Sequence, residues 1–80
     1  MMNIKNAILS VLNACGSYAL TKPILKIEVE TRIGGKIGDG EFSDALVQLK
    51  DKALINTRVD DISGDTRYFI TETGRTRCAQ

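Results

Sequence analysis

The residues able to do chemistry are few, and their spacing argues against catalysis. None of the 80 residues is histidine, which removes the base of the common serine and cysteine triads and the imidazole ligand of most zinc sites. Cys15 and Cys78 lie near opposite ends of the sequence and neither belongs to a C-x-x-C pair, so the reading is two unrelated reduced thiols, not a metal or redox motif. Gly35-Lys36 is followed by Ile37, where a phosphate-cradling P-loop needs a metal-holding hydroxyl. Gly38-Asp39-Gly40 does not continue as a dinucleotide fingerprint, because Ser43 stands where the last glycine belongs. Asp60, Asp61 and Asp65 lack the alternating ligand order of a calcium loop. The adjacent pair Asp60 and Asp61 falls in a turn, where a solvated loop is a simpler account than acid–base chemistry. No enzyme, cofactor or metal is expected.

What remains are basic, amide and hydroxyl side chains, and the elements that carry them decide their use. With 42% hydrophobic and 26% charged residues, the composition is that of an ordinary soluble globular protein, and a single domain over residues 1–80 is expected. Near the N-terminus, the apolar stretch Ala7 to Leu12 is interrupted by Ser10 and is shorter than an export segment needs; a cytoplasmic chain is expected. Ile4, Ile8, Val11, Leu12 and Cys15 fall instead on one helical stripe. This predicts a helix from about Asn3 to Cys15, ended by Gly16, with Asn6, Ser10 and Asn13 outward and Leu9 at the edge of that face.

The next element carries conflicting signals. Thr21, Lys22 and Pro23 read as the cap and first turn of a helix. Leu25, Ile27, Val29, Thr31 and Ile33 alternate with charged residues as a strand would. As a helix it would bury Leu25, Val29 and Ile33 and leave Ile24 and Ile27 outside. Gly34, Gly35, Gly38 and Gly40 mark a loop over residues 34–40. Phe42, Ala45, Leu46, Leu49 and Ala53 then define the clearest helix, capped near Asp39 and running to about Lys52. Leu54–Val59 and Thr66–Thr71 are β-favouring runs joined by a turn-rich segment, which predicts a hairpin with Ile55, Tyr68 and Ile70 facing the core. Glu72 to Gln80 leave room for a helical turn and a frayed tail.

The string Phe42-x-x-Ala45-Leu46-x-x-Leu49-x-x-x-x-Leu54-Ile55, a polar hairpin, and then Arg67-Tyr68-Phe69-Ile70-Thr71-x-x-Gly74-Arg75 resembles the third helix and wing of small prokaryotic winged helix-turn-helix proteins. Leu20-Thr21 and Leu25 to Val29 are similar to the second helix of the same family, which favours helix over strand there. The resemblance covers about half the chain. It implies an α+β fold, a three-helix bundle followed by a two-stranded β-hairpin wing. It also implies binding of double-stranded DNA in bacterial or phage transcription regulation, with the third helix in the major groove and the wing on the backbone. Carried onto this chain, the DNA-contact candidates are Gln48 toward an adenine edge, Ser43 toward a base or a phosphate, the outward-facing Val47, and Lys50, Arg58 and Arg67 toward phosphates.

Charge runs against a simple version of that role. The net +1 divides into +3 over residues 1–38, −4 over residues 39–65 and +2 over residues 66–80. The expected reading helix and wing therefore form the acidic third of the sequence, although cations supply most nonspecific affinity for DNA. Leu9, Ile24, Ile27 and Val47, apolar on outward faces, support a second reading: a winged helix used for protein contacts, as a homodimer or with a partner protein and without DNA binding. Any dimer is expected to use these short elements. Placement of Lys22, Lys26, Arg75 and Arg77 around the third helix would favour DNA.

Overall fold

Residues 3–15 and 18–79 are described by the structure, a computed structural model. In chain order they form α1 (Ile4–Ala14), β1 (Leu20–Thr21), α2 (Lys22–Ile33), α3 (Asp39–Asp51), β2 (Ile55–Val59), β3 (Thr66–Ile70) and α4 (Glu72–Ala79). The expected helix stop at Gly16 lies outside the described residues.

Helix α1 begins where Asn3, in extended conformation, accepts a 2.8 Å hydrogen bond from the Asn6 amide through its side chain, satisfying one of the donors a helix start leaves open. It buries Ala7, Ile8, Leu9, Val11 and Leu12, a wider face than the predicted stripe. The reason is its position: α2, α3, β3 and α4 all pack on it. Leu9 is 4% exposed and belongs to the core, so the expectation that it forms part of a protein-contact face is corrected. A helix enclosed by neighbours on several sides has a much narrower outward face than an isolated amphipathic helix.

The conflict over residues 24–33 resolves to helix. Thr21 precedes α2 in extended conformation, Pro23 occupies its first turn and Gly34 ends it with φ of +83°, a left-handed stop that glycine adopts without steric cost. Leu25 and Val29 are fully buried, and Ile33 packs against the core. The loop to α3 is shorter than its glycines suggest, because Asp39 and Gly40 already belong to the helix and Gly38 stands at the cap position. The Glu30 carboxylate holds this loop by accepting a 2.8 Å hydrogen bond from the Ile37 amide.

Helix α3 buries Phe42, Ala45, Leu46 and Leu49 as expected. Ala53 does not continue the stripe. It is exposed, with φ of +60°, and it turns the chain so that Leu54 and Ile55 enter the core.

The wing is larger than a hairpin. Strands β2 and β3 pair antiparallel with Ile55 opposite Ile70, and β1 adds to the other side of β3 with Leu20 opposite Tyr68. The sheet order is β1-β3-β2. The C-terminal residues form eight residues of helix, not a single turn. Thr71 anchors that helix. Its hydroxyl donates to the Ala53 or Leu54 carbonyl, at 2.6 and 3.0 Å, and accepts from the Gly74 amide at 3.0 Å. At Gly74 an added Cβ would meet the Leu54 carbonyl oxygen at 2.1 Å and Ile70 Cγ1 at 2.7 Å. The Ile-Thr-x-x-Gly string is thus the joint between α3, the wing and α4.

Candidate nucleic-acid interface

The outward residues of α3 divide between two hollows. Ser43, Val47 and Lys50 line a groove of about 380 Å³ shared with Lys22 of α2 and with Thr57, Thr66 and Tyr68 of the wing strands. Asp44 and Gln48 line a different hollow, floored by Ile4, Ile33 and Ile37, with Lys5 and Lys36 beside them. Val47 is 58% exposed.

Electrostatics in space differ from electrostatics along the chain. Lys22 Nζ donates to Ser43 Oγ at 2.6 Å, and Lys26 Nζ forms an ion pair with Asp39 in the first turn of α3. Helix α2 therefore brings two cations against the start of α3, four residues apart on one side of α2. The hydrogen bond and charge of Lys26 hold the Asp39 carboxyl below its ordinary value, and Lys22 acts in the same direction. Asp39 and Glu41 in the first turn also complement the helix dipole. At the other end of the groove, Lys50 Nζ donates to Thr57 Oγ1 at 3.3 Å, linking α3 to β2.

The wing arginines belong elsewhere. Side chains alternate between sheet faces, so Thr57 shares a face with Ile55 and Val59, whereas Arg58 points to the other side. Arg58 and Arg67 face each other across the strand pair, and both line a small hollow with Tyr18, Ala19, Val59 and Asp60. Arg58 lies over the Phe69 ring at 5.8 Å, a cation–π distance. Arg67 Nε is 3.6 Å from Asp60 Oδ2. The Ile62 and Ser63 amides donate to Asp60 and hold its carboxyl below the ordinary value, with Arg67 adding to the effect. This aspartate orders its own turn. Ile62, at the tip, is 98% exposed.

Of the six DNA-contact candidates, the structure brings together Ser43, Val47 and Lys50. Gln48 sits on the neighbouring flank of α3, and Arg58 and Arg67 sit together on the wing. Lys22 and Lys26 converge on α3, while Arg75 and Arg77 are carried by α4, which packs on α1 and β3. Sequence spacing did not mark Thr57, Thr66 and Tyr68 as neighbours of Lys22. Only the pairing of β3 with both β1 and β2 places them there.

A bundle of three helices, a short strand before the second, and an antiparallel wing after the third is also found in solved structures. A MarR-family transcriptional regulator from Silicibacter pomeroyi superimposes with a TM-score of 0.78 at 24% identity, over 99% of this chain. RosR from H. salinarum gives a TM-score of 0.81 at 22% identity over 99% of this chain. The fold is a winged helix-turn-helix. A winged-helix DNA-binding protein from STIV is similar at 28% identity and a TM-score of 0.79, over 99% of this chain and 84% of its own. The winged helix described here spans 48% of the S. pomeroyi regulator and 68% of RosR. No family model matches the sequence. A search of curated proteins likewise gives no match. Among the described residues, no helix of this winged helix is long and apolar enough to cross a membrane.

Proposed function

We propose that this winged helix binds double-stranded DNA through α3 and acts as a non-catalytic regulator of transcription in the cytoplasm. The observation that carries the reading is the convergence of Lys22 and Lys26 on the first half of α3, which offsets in space the acidic run seen along the sequence. Val47 is suited to a thymine methyl and Gln48 to an adenine edge, while Ser43 and Lys50 stand beside them. Arg58 and Arg67 on the wing are assigned to flanking phosphates. The neighbours' descriptions as transcription regulators and as a DNA-binding protein support this role. Fluorescence anisotropy with a labelled mixed-sequence duplex tests it. Binding at roughly micromolar protein in low salt, weakened by added salt, is the expected result; a flat titration would refute it.

Self-association is a second reading, supported by Ile24 and Ile27, which are 49% and 60% exposed and adjacent on α2 at helical spacing. In it, two copies meet through this face and present two α3 helices to DNA. Sedimentation equilibrium is expected to show a dimer that Ile27→Lys dissociates. A wild-type chain that remains monomeric across the concentration range argues against it.

A further inference from the structure

We propose that the wing tip of one copy of this chain seats in the hollow between α1, the end of α2 and α3 of a second copy, with Ile62 on its apolar floor and Asp61 and Asp65 against Lys5 and Lys36. The contact is head to tail. It uses neither the groove beside Ser43 nor the Ile24 and Ile27 face, and its test contains no DNA.

Each of the two surfaces lacks what the other holds. Ile62 is almost wholly exposed at the end of the wing, and Asp61 and Asp65 beside it are exposed carboxylates that form no ion pair among the described residues. Phosphates repel such a tip, and a cationic rim around an apolar floor suits it. The same chain carries a site of that kind. The hollow that holds Asp44 and Gln48 has a volume of about 670 Å³, within the range of roughly 300–1,000 Å³ usual for binding pockets. Its floor is Ile4, Ile33 and Ile37, and Lys5 and Lys36 on its rim likewise form no ion pair among the described residues. Glu41 and Asp44 stand on the α3 side of that rim. They repel the tip carboxylates and so orient the tip with its acids toward the lysines.

The tip is also ordered before it docks. The Asp60 amide donates to the Asp65 carbonyl at 2.8 Å, and the Gly64 amide to the Asp60 carbonyl at 2.8 Å. The Asp60 carboxylate accepts from the Ile62 and Ser63 amides at 2.9 and 3.4 Å, and Gly64 closes the turn with a left-handed φ of +76°. Little backbone freedom is left to lose on docking. Among the described residues, none of β2 or β3 lines the hollow. Tip and hollow are therefore separate patches, and the contact is heterologous, extending copy by copy instead of pairing two identical faces. One isoleucine and two ion pairs bury less than the roughly 1,200 Å² at the lower end of stable complexes, which makes the contact weak and readily exchanged. Because Gln48 lines the same hollow, a seated tip covers it, and the contact belongs to copies not engaged with DNA through that residue.

The test mixes two variants, each damaged on one side only and both carrying Ile27→Lys so that the α2 face does not contribute. The tip variant, Ile62→Asp, keeps its hollow. The hollow variant, Lys5→Glu with Lys36→Glu, keeps its tip. Circular dichroism melting confirms that both are folded, and Lys36→Glu alone, at an exposed loop residue, replaces the double substitution if that one lowers the midpoint. Isotopically labelled tip variant, followed by NMR as unlabelled hollow variant is added to about millimolar concentration, is expected to shift at residues 3–5, 33–37 and 44–48 while residues 60–65 stay fixed. Reversing the label moves the shifts to residues 60–65. Neither variant shifts when it is concentrated alone. Absent shifts in the mixture, or shifts of equal size in either variant alone, would overturn the head-to-tail contact. The anisotropy titration judges DNA binding separately, so failure of one reading is distinguishable from failure of the other.

Discussion

Gly74 shows how much a single residue type carries in this fold. Its α-carbon approaches the Leu54 carbonyl so closely that a methyl group has no space, and the obstacle is backbone, which cannot rotate away as a side chain would. Gly74→Ala is therefore expected to cost about 1–3 kcal/mol through overpacking, read as a lowered midpoint in thermal or urea unfolding. An unchanged midpoint would mean that α4 shifts freely. Thr71 is the partner residue, since one hydroxyl both caps α4 and binds the turn after α3. The sequence string containing both was recognisable as a resemblance before its cause was visible. Its meaning is steric and comes from a contact between residues about twenty positions apart, which local periodicity does not encode.

Among the elements, α3 was legible because its buried residues recur at one helical spacing within a single face. Helix α2 was ambiguous for a physical reason. Apolar residues at every second position satisfy a strand, and a subset of the same residues satisfies a helix, so the cap signals at Thr21 to Pro23 and the family resemblance had to decide, and the structure adds the left-handed stop at Gly34. Strand β1 was invisible, because two residues carry no period; Leu20 and Thr21 become a strand only through pairing with β3. Leu9 was misplaced for a related reason. Its outward position is set by an ideal two-sided helix, and α1 is surrounded by four elements. That enclosure has an energetic consequence: Leu9→Ala is expected to destabilise by about 2–5 kcal/mol, the range for truncating a buried leucine, by chemical denaturation. A near-neutral result would place Leu9 back on an outer face.

At the scale of the whole molecule, charge is the property that the sequence misrepresents most. Read along the chain, residues 39–65 are acidic, but folding sets Lys22 and Lys26 against α3 and engages Asp39 and Asp60 in local bonds that keep their carboxyls below the ordinary range. The cations facing the groove, Lys22 and Lys50, come from different helices. A candidate list drawn from α3 and the wing alone therefore found Ser43, Val47 and Lys50 but not the strand hydroxyls opposite them. Alternation along β2 and β3 directs the wing's two phosphate candidates, Arg58 and Arg67, to a hollow separate from the one beside Ser43, Val47 and Lys50.

The central claim is that DNA is engaged by α3 together with the start of α2. Amide chemical shifts of isotopically labelled protein, followed by NMR during titration with a short duplex at low salt, test it most directly. The account predicts that the largest shifts map to residues 43–50 and to Lys22, with smaller ones on Thr57 and Thr66. Shifts concentrated on α4 and the outer surface of α1, with α3 unperturbed, would contradict it, as would no shifts at all.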